Sequence, residues 1–131
     1  MEKKIKMIIE WTKTKIKINL KTSDNVYFYI KEIWWTNIGS NIGFEQDGKG
    51  KNFSRPILII KKFNKNMLWA IPLTSKHKEG NYFYNLYHQN NNYTLILPQL
   101  KLISSKRLIR KITKIPQNDF TKIKSEIKKF L

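Results

Sequence analysis

An arginine in front of a strongly apolar segment is the first residue with the chemistry of a binding site. Arg55 directly precedes the run Pro-Ile-Leu-Ile-Ile at residues 56–60, and the chain has only three arginines, Arg55, Arg107 and Arg110. A guanidinium group can bind two phosphate oxygens at once, so Arg55 is a candidate phosphate ligand. An arginine that simply ends a strand remains the alternative.

A hydroxyl group ends the next apolar segment. Thr74 follows residues 68–73, which predict a buried strand. A hydroxyl at a strand end can bind a substrate, although it more commonly caps a turn or faces solvent. Thr74 is therefore a second candidate.

The segment before Arg55 has the composition of a working loop. Residues 32–38 predict a strand, and about fifteen polar, glycine-bearing residues then follow before the chain becomes apolar again at residue 55. Long loops without secondary structure are uncommon in compact domains and are often functional. Within this loop, Gln46, Lys49 and Lys51 are candidate contacts for a polyanion.

Histidine is the side chain best suited to proton transfer near neutral pH. His77 follows Thr74 by three residues and could reach the same pocket, with an exposed loop position as the alternative. His88 lies beside a polar turn. Two isolated histidines, nine scattered acidic residues and no cysteine provide no metal-binding spacing, so we expect no metal site.

The elements that position these residues predict an α+β protein, mostly β, with a small antiparallel sheet. A short helical turn capped by Ser104 is predicted at 105–108, and a closing helix with one apolar face is predicted after Pro116. Polar turn residues separate the predicted strands, which are residues 26–30, 32–38, 56–63, 67–73, 81–87, 93–97, 100–103 and 109–115.

Residues 1–25 favour a basic amphipathic helix. Ile5, Ile8, Ile9 and Ile16 fall on one face and lysines on the other, although alternation in residues 12–20 also suits a strand. We expect the isoleucine face to cover the sheet as a lid, and binding to a membrane surface is the alternative.

Length and composition favour one cytoplasmic domain over residues 1–131, with a helical extension at 1–25 and a core at 32–131. The chain has no apolar run of membrane-spanning length and no signal-peptide pattern. The net charge of +17 predicts a polyanionic partner: RNA, DNA, an acidic protein or an anionic membrane surface. A lysine-rich surface that reflects genome composition is the alternative.

Several motifs in order resemble those of the MazF/PemK family of toxin–antitoxin ribonucleases. The resemblance runs from about residue 32 to the C-terminus, and the spacing of the motifs agrees approximately with the family. The motifs are Ile33-Trp34-Trp35, Gly43-Phe44-Glu45-Gln46-Asp47-Gly48, Arg55-Pro56-Ile57-Leu58-Ile59, Pro72-Leu73-Thr74-Ser75, and the segment from Gln99 to Leu108.

The resemblance implies an SH3-like barrel that forms a homodimer, needs no cofactor and is neutralised by an acidic antitoxin protein. It also implies cleavage of single-stranded RNA by attack of the ribose 2′-hydroxyl, which leaves 2′,3′-cyclic phosphate and 5′-hydroxyl ends. In the family, the arginine before the Pro-Val-Leu-Ile strand and the threonine of Pro-Leu-Thr-Ser form the active site, and the matching residues here are Arg55 and Thr74. The expected RNA-binding residues are Glu45, Gln46, Lys49, Lys51, Ser75, His77 and Gln99.

One departure from the family narrows the mechanism. Some members have an Arg-x-Asp pair just before the glutamine that Gln99 matches, but this chain has Ile96 and Pro98 there. Of the catalytic arrangements in the family, this chain fits only the one that uses an arginine and a threonine. A non-catalytic toxin of the same barrel that poisons gyrase, or a basic nucleic-acid-binding module, is the alternative function.

Overall fold

The structure, a computed structural model, describes residues 2–20, 26–39, 48 and 54–131. This part of the chain contains two α-helices and seven β-strands. Two 3₁₀ turns, Leu97–Gln99 and Ser105–Arg107, interrupt the later strands. The elements are α1 Glu2–Asn19, β1 Glu32–Asn37, β2 Ser54–Lys62, β3 Met67–Thr74, β4 Phe83–His88, β5 Asn91–Ile96, β6 Lys101–Ser104, β7 Leu108–Lys114 and α2 Gln117–Lys128.

The strands form a curled antiparallel sheet with β2 and β3 in its middle. The order is β4-β5-β3-β2-β1-β7, and β6 also pairs with β3. The first half of β3 pairs with β6, whereas its end pairs with β5. The two ends of the sheet meet where Thr113 of β7 contacts His88 Nε2 at 3.2 Å and donates to Gln89 Oε1 at 3.0 Å. This contact closes the sheet toward a barrel and confirms the predicted fold class.

Apolar side chains alternate along the central strands and fill a core on each face of the sheet. On one face Leu58, Ile71 and Leu73 pack against Phe120 and Ile123 of α2. On the other face Ile57, Ile59 and Ala70 pack against Phe28 and Trp34. The central strands are therefore buried on both sides, which explains why β2 reads as a nearly continuous apolar run.

One predicted strand was wrong. Residues 26–30 form no strand, and the chain turns into β1 at Lys31, where φ is 73°. The segment is instead held to β2 by a hydrogen bond from Lys62 Nζ to the Phe28 carbonyl at 3.0 Å. The turn between β4 and β5 lies at Gln89 and Asn90, whose φ values of 50° and 63° suit a tight hairpin.

Helix α1 forms as predicted, but it packs through the wrong face for the predicted lid. Trp11 and Ile18 are buried, whereas the four isoleucines of the predicted face are exposed. The indole of Trp11 lies on Gly39, where φ is +90° and an added Cβ would lie 2.0 Å from Trp11 Cε2. Glycine at this position therefore allows Trp11 to dock. The exposed residues are Ile5, Ile8, Ile9 and Ile16.

Among the described residues, no helix has the length and apolar character needed to cross a membrane.

A buried carboxylate fixes the start of β1. Glu32 Oε1 accepts hydrogen bonds from the Tyr29 backbone N–H at 2.8 Å and from Trp34 Nε1 at 3.0 Å. Lys111 Nζ of β7 lies 3.0 Å from Glu32 Oε2. Burial raises the pKa of the Glu32 carboxyl, but the hydrogen bonds from Trp34, Tyr29 and Lys111 outweigh it and leave the pKa below the ordinary 4.5.

We predict that Glu32→Gln lowers the free energy of unfolding by about 1–3 kcal/mol at pH 7, because hydrogen bonds to a charged group are lost. Since the folded pKa is depressed, the stabilisation is complete above pH 4.5 and disappears as pH falls through the folded pKa. The difference between the two proteins should therefore shrink in acid. Urea unfolding at several pH values measures it.

The control is Glu10→Gln, which removes an exposed pair with Lys13 at 3.2 Å. Such a pair contributes little, so this variant should unfold as the wild type does. Equal losses in the two variants would contradict the role of Glu32.

Candidate active site

Arg55 is the second residue of β2 and lies at the end of the sheet where β1 stops. It is 9% exposed, and its direct partner on β1 is Thr36. Thr36 is fully buried and donates its hydroxyl to the Trp34 carbonyl at 3.1 Å. A cation held this deeply in the sheet contrasts with the exposed lysines that make up most of the positive charge.

Thr74 is the last residue of β3 and is half-buried. Ile57 of β2 and Pro72 of β3 are direct antiparallel partners. Arg55 lies two residues before Ile57, and Thr74 lies two residues after Pro72. Because side chains alternate between faces with a period of two, Arg55 and Thr74 lie at the same end and on the same face of this strand pair.

The turn after Thr74 is held by a polar network that the sequence analysis did not identify. Asn92 Nδ2 donates to the Ser75 carbonyl and to Thr94 Oγ1, both at 3.1 Å. Thr94, fully buried, donates to Asn85 Oδ1 at 2.6 Å. Asn85 Nδ2 in turn donates to the Lys78 carbonyl at 2.7 Å. The sequence contained one sign of this network, since Thr94 is a polar residue within the otherwise apolar run of residues 93–97.

This network sets the position of the Thr74 hydroxyl. The Lys76 backbone N–H donates to Thr74 Oγ1 at 3.3 Å, and the Thr74 backbone pairs with Thr94. Within the described part of the chain, one lone pair and the hydroxyl proton of Thr74 remain for other bonds. Thr74 therefore caps the turn and is also able to bind a ligand.

Of the other predicted site residues, two lie in the turn after Thr74. Ser75 and His77 are exposed, and His77 Nε2 lies 2.6 Å from Glu79 Oε1. The turn thus places His77 beside a carboxylate on the outside of the sheet. Nothing in this arrangement directs the imidazole toward Arg55.

Gln99 is half-buried at the end of the 3₁₀ turn between β5 and β6. Both of these strands pair with β3, so Gln99 lies along the strand that ends at Thr74. Glu45, Gln46, Lys49 and Lys51 lie outside the described residues.

A second arginine supports the same end of the sheet. Arg107 Nη1 donates to the Asn37 carbonyl at 3.2 Å, and its guanidinium lies 5.5 Å from the Trp11 ring centre. Burial lowers the pKa of Arg107 from its usual value. Because Asn37 pairs with Ser54, the residue before Arg55, Arg107 and Trp11 support the strand end that carries Arg55.

Asn37 also presents an acceptor there. Its side-chain Oδ1 is buried and has no hydrogen-bond partner within the described part of the chain. Asn37 follows Thr36, the β1 partner of Arg55, so its side chain lies on the opposite face of the sheet from Arg55 and Thr74. The set on one face is therefore a cation and a hydroxyl, which can bind a phosphate.

Solved structures that share this architecture include a MazF and an endoribonuclease bound to its antitoxin. MazF from Deinococcus radiodurans is 15% identical, with a TM-score of 0.63 over 80% of this chain and 96% of that one. An endoribonuclease in complex with its cognate antitoxin from a mycobacterial species is 9% identical, with a TM-score of 0.62 over 79% and 93%. At these identities the likeness establishes the fold.

Mycobacterium tuberculosis toxin MazF-mt6 is 12% identical, with a TM-score of 0.57 over 75% of this chain and 93% of that one. No curated protein sequence matches the chain. A family model described as PemK-like, MazF-like toxin of type II toxin-antitoxin system matches residues 31–131. This match covers all seven strands and α2, and the chain therefore belongs to the PemK-like, MazF-like toxin family of type II toxin–antitoxin systems.

Proposed function

We propose that this toxin is an endoribonuclease that cleaves single-stranded RNA without a metal ion, with Arg55 and Thr74 in its active site. The observation that carries the proposal is the β2–β3 register, which sets a buried guanidinium and a partly free hydroxyl on one face at one end of the sheet. Family membership and the net charge of +17 also support an RNA substrate.

In the proposed reaction the ribose 2′-hydroxyl attacks the adjacent phosphorus and loses its proton. The bond from phosphorus to the 5′-oxygen breaks, and that oxygen gains a proton. The products are a 2′,3′-cyclic phosphate and a 5′-hydroxyl. Negative charge grows on the non-bridging oxygens in the transition state, so fixed donors directed at them lower the barrier.

Arg55 and Thr74 supply such donors. Arg55 remains protonated at neutral pH, so its part is to bind the phosphoryl oxygens and stabilise their charge rather than to remove a proton. The Thr74 hydroxyl holds the phosphate by a further hydrogen bond. We assign Ser75, His77 and Gln99 to contacts with flanking nucleotides, as we do Glu45, Gln46, Lys49 and Lys51.

The family and its structures also suggest partners. The mycobacterial neighbour is in complex with its cognate antitoxin, and a second Deinococcus radiodurans structure contains MazE and MazF. We propose that this chain works in the cytoplasm as a homodimer and is neutralised by an antitoxin. The charge of +17 indicates that the antitoxin is acidic.

We predict that Arg55→Lys lowers the rate of RNA cleavage by about 10²–10³, because lysine keeps the charge but loses the bidentate hydrogen bonds. Wild-type protein should cleave a long single-stranded RNA in EDTA and leave 2′,3′-cyclic phosphate and 5′-hydroxyl ends. End-group analysis and initial rates measure both.

The matched control is Arg110→Lys. Arg110 is exposed, lies 5.7 Å from the Trp35 ring centre and pairs with Trp35, which places it on the face of the sheet opposite to Arg55. It should cleave RNA at the wild-type rate. If Arg55→Ala folds, cleaves no RNA and remains fully toxic to cells, the chain is a non-catalytic toxin or a nucleic-acid-binding module instead.

We predict that Thr74→Val lowers cleavage by at least about tenfold, whereas Thr74→Ser keeps most of it, because only serine retains a hydroxyl. Since Thr74 also caps the Lys76 N–H, the melting temperature of each variant is measured beside its cleavage rate. Equal activity of the valine and serine variants at equal stability would exclude the hydroxyl from the reaction.

We predict a homodimer in solution. Multi-angle light scattering should give about twice the chain mass of 15.7 kDa. A mass of one chain throughout the micromolar range would contradict the proposed assembly.

A further inference from the structure

Helix α1 has a second apolar face that nothing in the described chain covers. Each residue turns a helix by about 100°, so Ile5, Ile9, Ile16 and Leu20 fall within a sector of roughly 60°. They are exposed by 52%, 51%, 56% and 74%. The backbone N–H of Leu20 still donates to the Ile16 carbonyl, so Leu20 continues the helical turn. We call these four residues the outer stripe.

The outer stripe lies on the side of α1 that is not packed on the sheet, and its C-terminal end, Ile16 and Leu20, borders the 3₁₀ turn Ser105–Arg107. The buried residues of α1, Trp11 and Ile18, lie on the opposite side of the helix and attach it to the sheet. Exposure of the stripe is therefore a consequence of how α1 docks. It does not arise from an unattached helix.

The shape of the outer stripe suits another helix. Its members are separated by four, seven and four residues, which follows the 3.5-residue repeat of a narrow helix–helix seam in which one position, at Thr12, is polar. A helix that lies in a lipid surface instead needs a wide apolar face and commonly carries aromatic residues on it. The single aromatic residue of α1, Trp11, is buried against Gly39 on the other side.

Charge indicates what kind of helix fits. Within Glu2–Asn19 six lysines stand against two glutamates. Lys6, Lys13 and Lys17 follow one flank of the outer stripe, Lys15 lies toward the other, and all four are exposed. A second copy of α1 would bring lysine rows together, whereas glutamates at the flanks of a partner helix would pair with them.

A cleft at the end of the outer stripe is also lined by both apolar and basic side chains. It has a volume of about 400 Å³ and lies between the C-terminal half of α1 and the 3₁₀ turn Ser105–Arg107. Ile16 and Leu20 contribute apolar surface to it, and Lys15, Lys106 and Arg107 contribute basic groups. An acidic residue at the end of a partner helix would be received there.

We propose that the outer stripe is a docking surface for an acidic amphipathic helix of a second protein. Helix α1 precedes residues 31–131, the part of the chain that matches the family model, so this surface is additional to the active site. The proposal does not depend on RNA cleavage. A helix bound to the outer stripe would lie on α1. Helix α1 in turn contacts Gly39, just after the end of β1, through Trp11.

The test uses the full chain and a synthetic peptide with the sequence of residues 2–20 in which all six lysines are replaced by glutamate. The peptide keeps the spacing of the outer stripe and reverses its flanking charge. Calorimetry at fixed salt should detect binding to the wild-type protein. Ile9→Ser combined with Ile16→Ser should weaken this binding at least tenfold, and so should Lys13→Glu combined with Lys17→Glu.

The control is Ile109→Ser, which replaces a 40% exposed residue of β7 and should leave peptide affinity unchanged. Three kinds of result would overturn the proposal. The first is that the charge-reversed peptide does not bind the wild-type protein, or that it binds all the variants as well as the wild type. The second is equal or tighter binding of the native lysine-bearing peptide, which would indicate a second copy. The third is preferential binding to anionic phospholipid vesicles that the isoleucine variant loses.

Discussion

The antiparallel pairing of β2 with β3 is the constraint on which the rest of the structure depends. Both strands are buried on both faces, so their register is specified twice, once by each apolar core. A shift of one residue would exchange the side chains that face α2 for those that face Phe28 and Trp34. The same register sets Arg55 and Thr74 at one end of the sheet. Core packing therefore determines the geometry of the candidate active site.

Polar contacts hold the ends of the sheet and the turn after Thr74, which the apolar cores do not reach. The bonds of Thr113 with His88 and Gln89 hold the two ends of the sheet together. Asn92, Thr94 and Asn85 hold the turn after Thr74. Because Thr94 is fully buried, its paired hydroxyl costs little, whereas an unpaired one would destabilise the fold. Such networks specify one arrangement of a turn that apolar packing alone would leave loose.

Helix α1 joins the site to a different surface. One side holds Trp11 against Gly39, and Arg107 lies between that indole and the carbonyl of Asn37. The other side carries the exposed outer stripe and its lysines. A helix built in this way supports the end of β1 and also presents a basic, apolar surface to the outside. In the two proposals made here, the excess of positive charge serves two kinds of acidic partner, a nucleic acid and a protein helix.

Local patterns were sufficient for much of the fold. Apolar runs identified β1–β7, and Ser104 and Pro116 marked the turn and helix that follow them. The assignment of Arg55 and Thr74 to the active site came from ordered motifs and stays a prediction. These features follow from alternation, caps and residue type, which act over a few neighbouring residues.

Tertiary contacts decided the rest. Both faces of α1 carry apolar residues, so periodicity could not select the docking face; the fit of Trp11 on Gly39 did. The segment at residues 26–30 has the composition of a strand, yet its bonds to β2 hold it as an irregular chain. The network around Thr94 joins residues from two strands and a turn. These features depend on which surfaces meet after the chain folds, and no stretch of neighbouring residues contains that information.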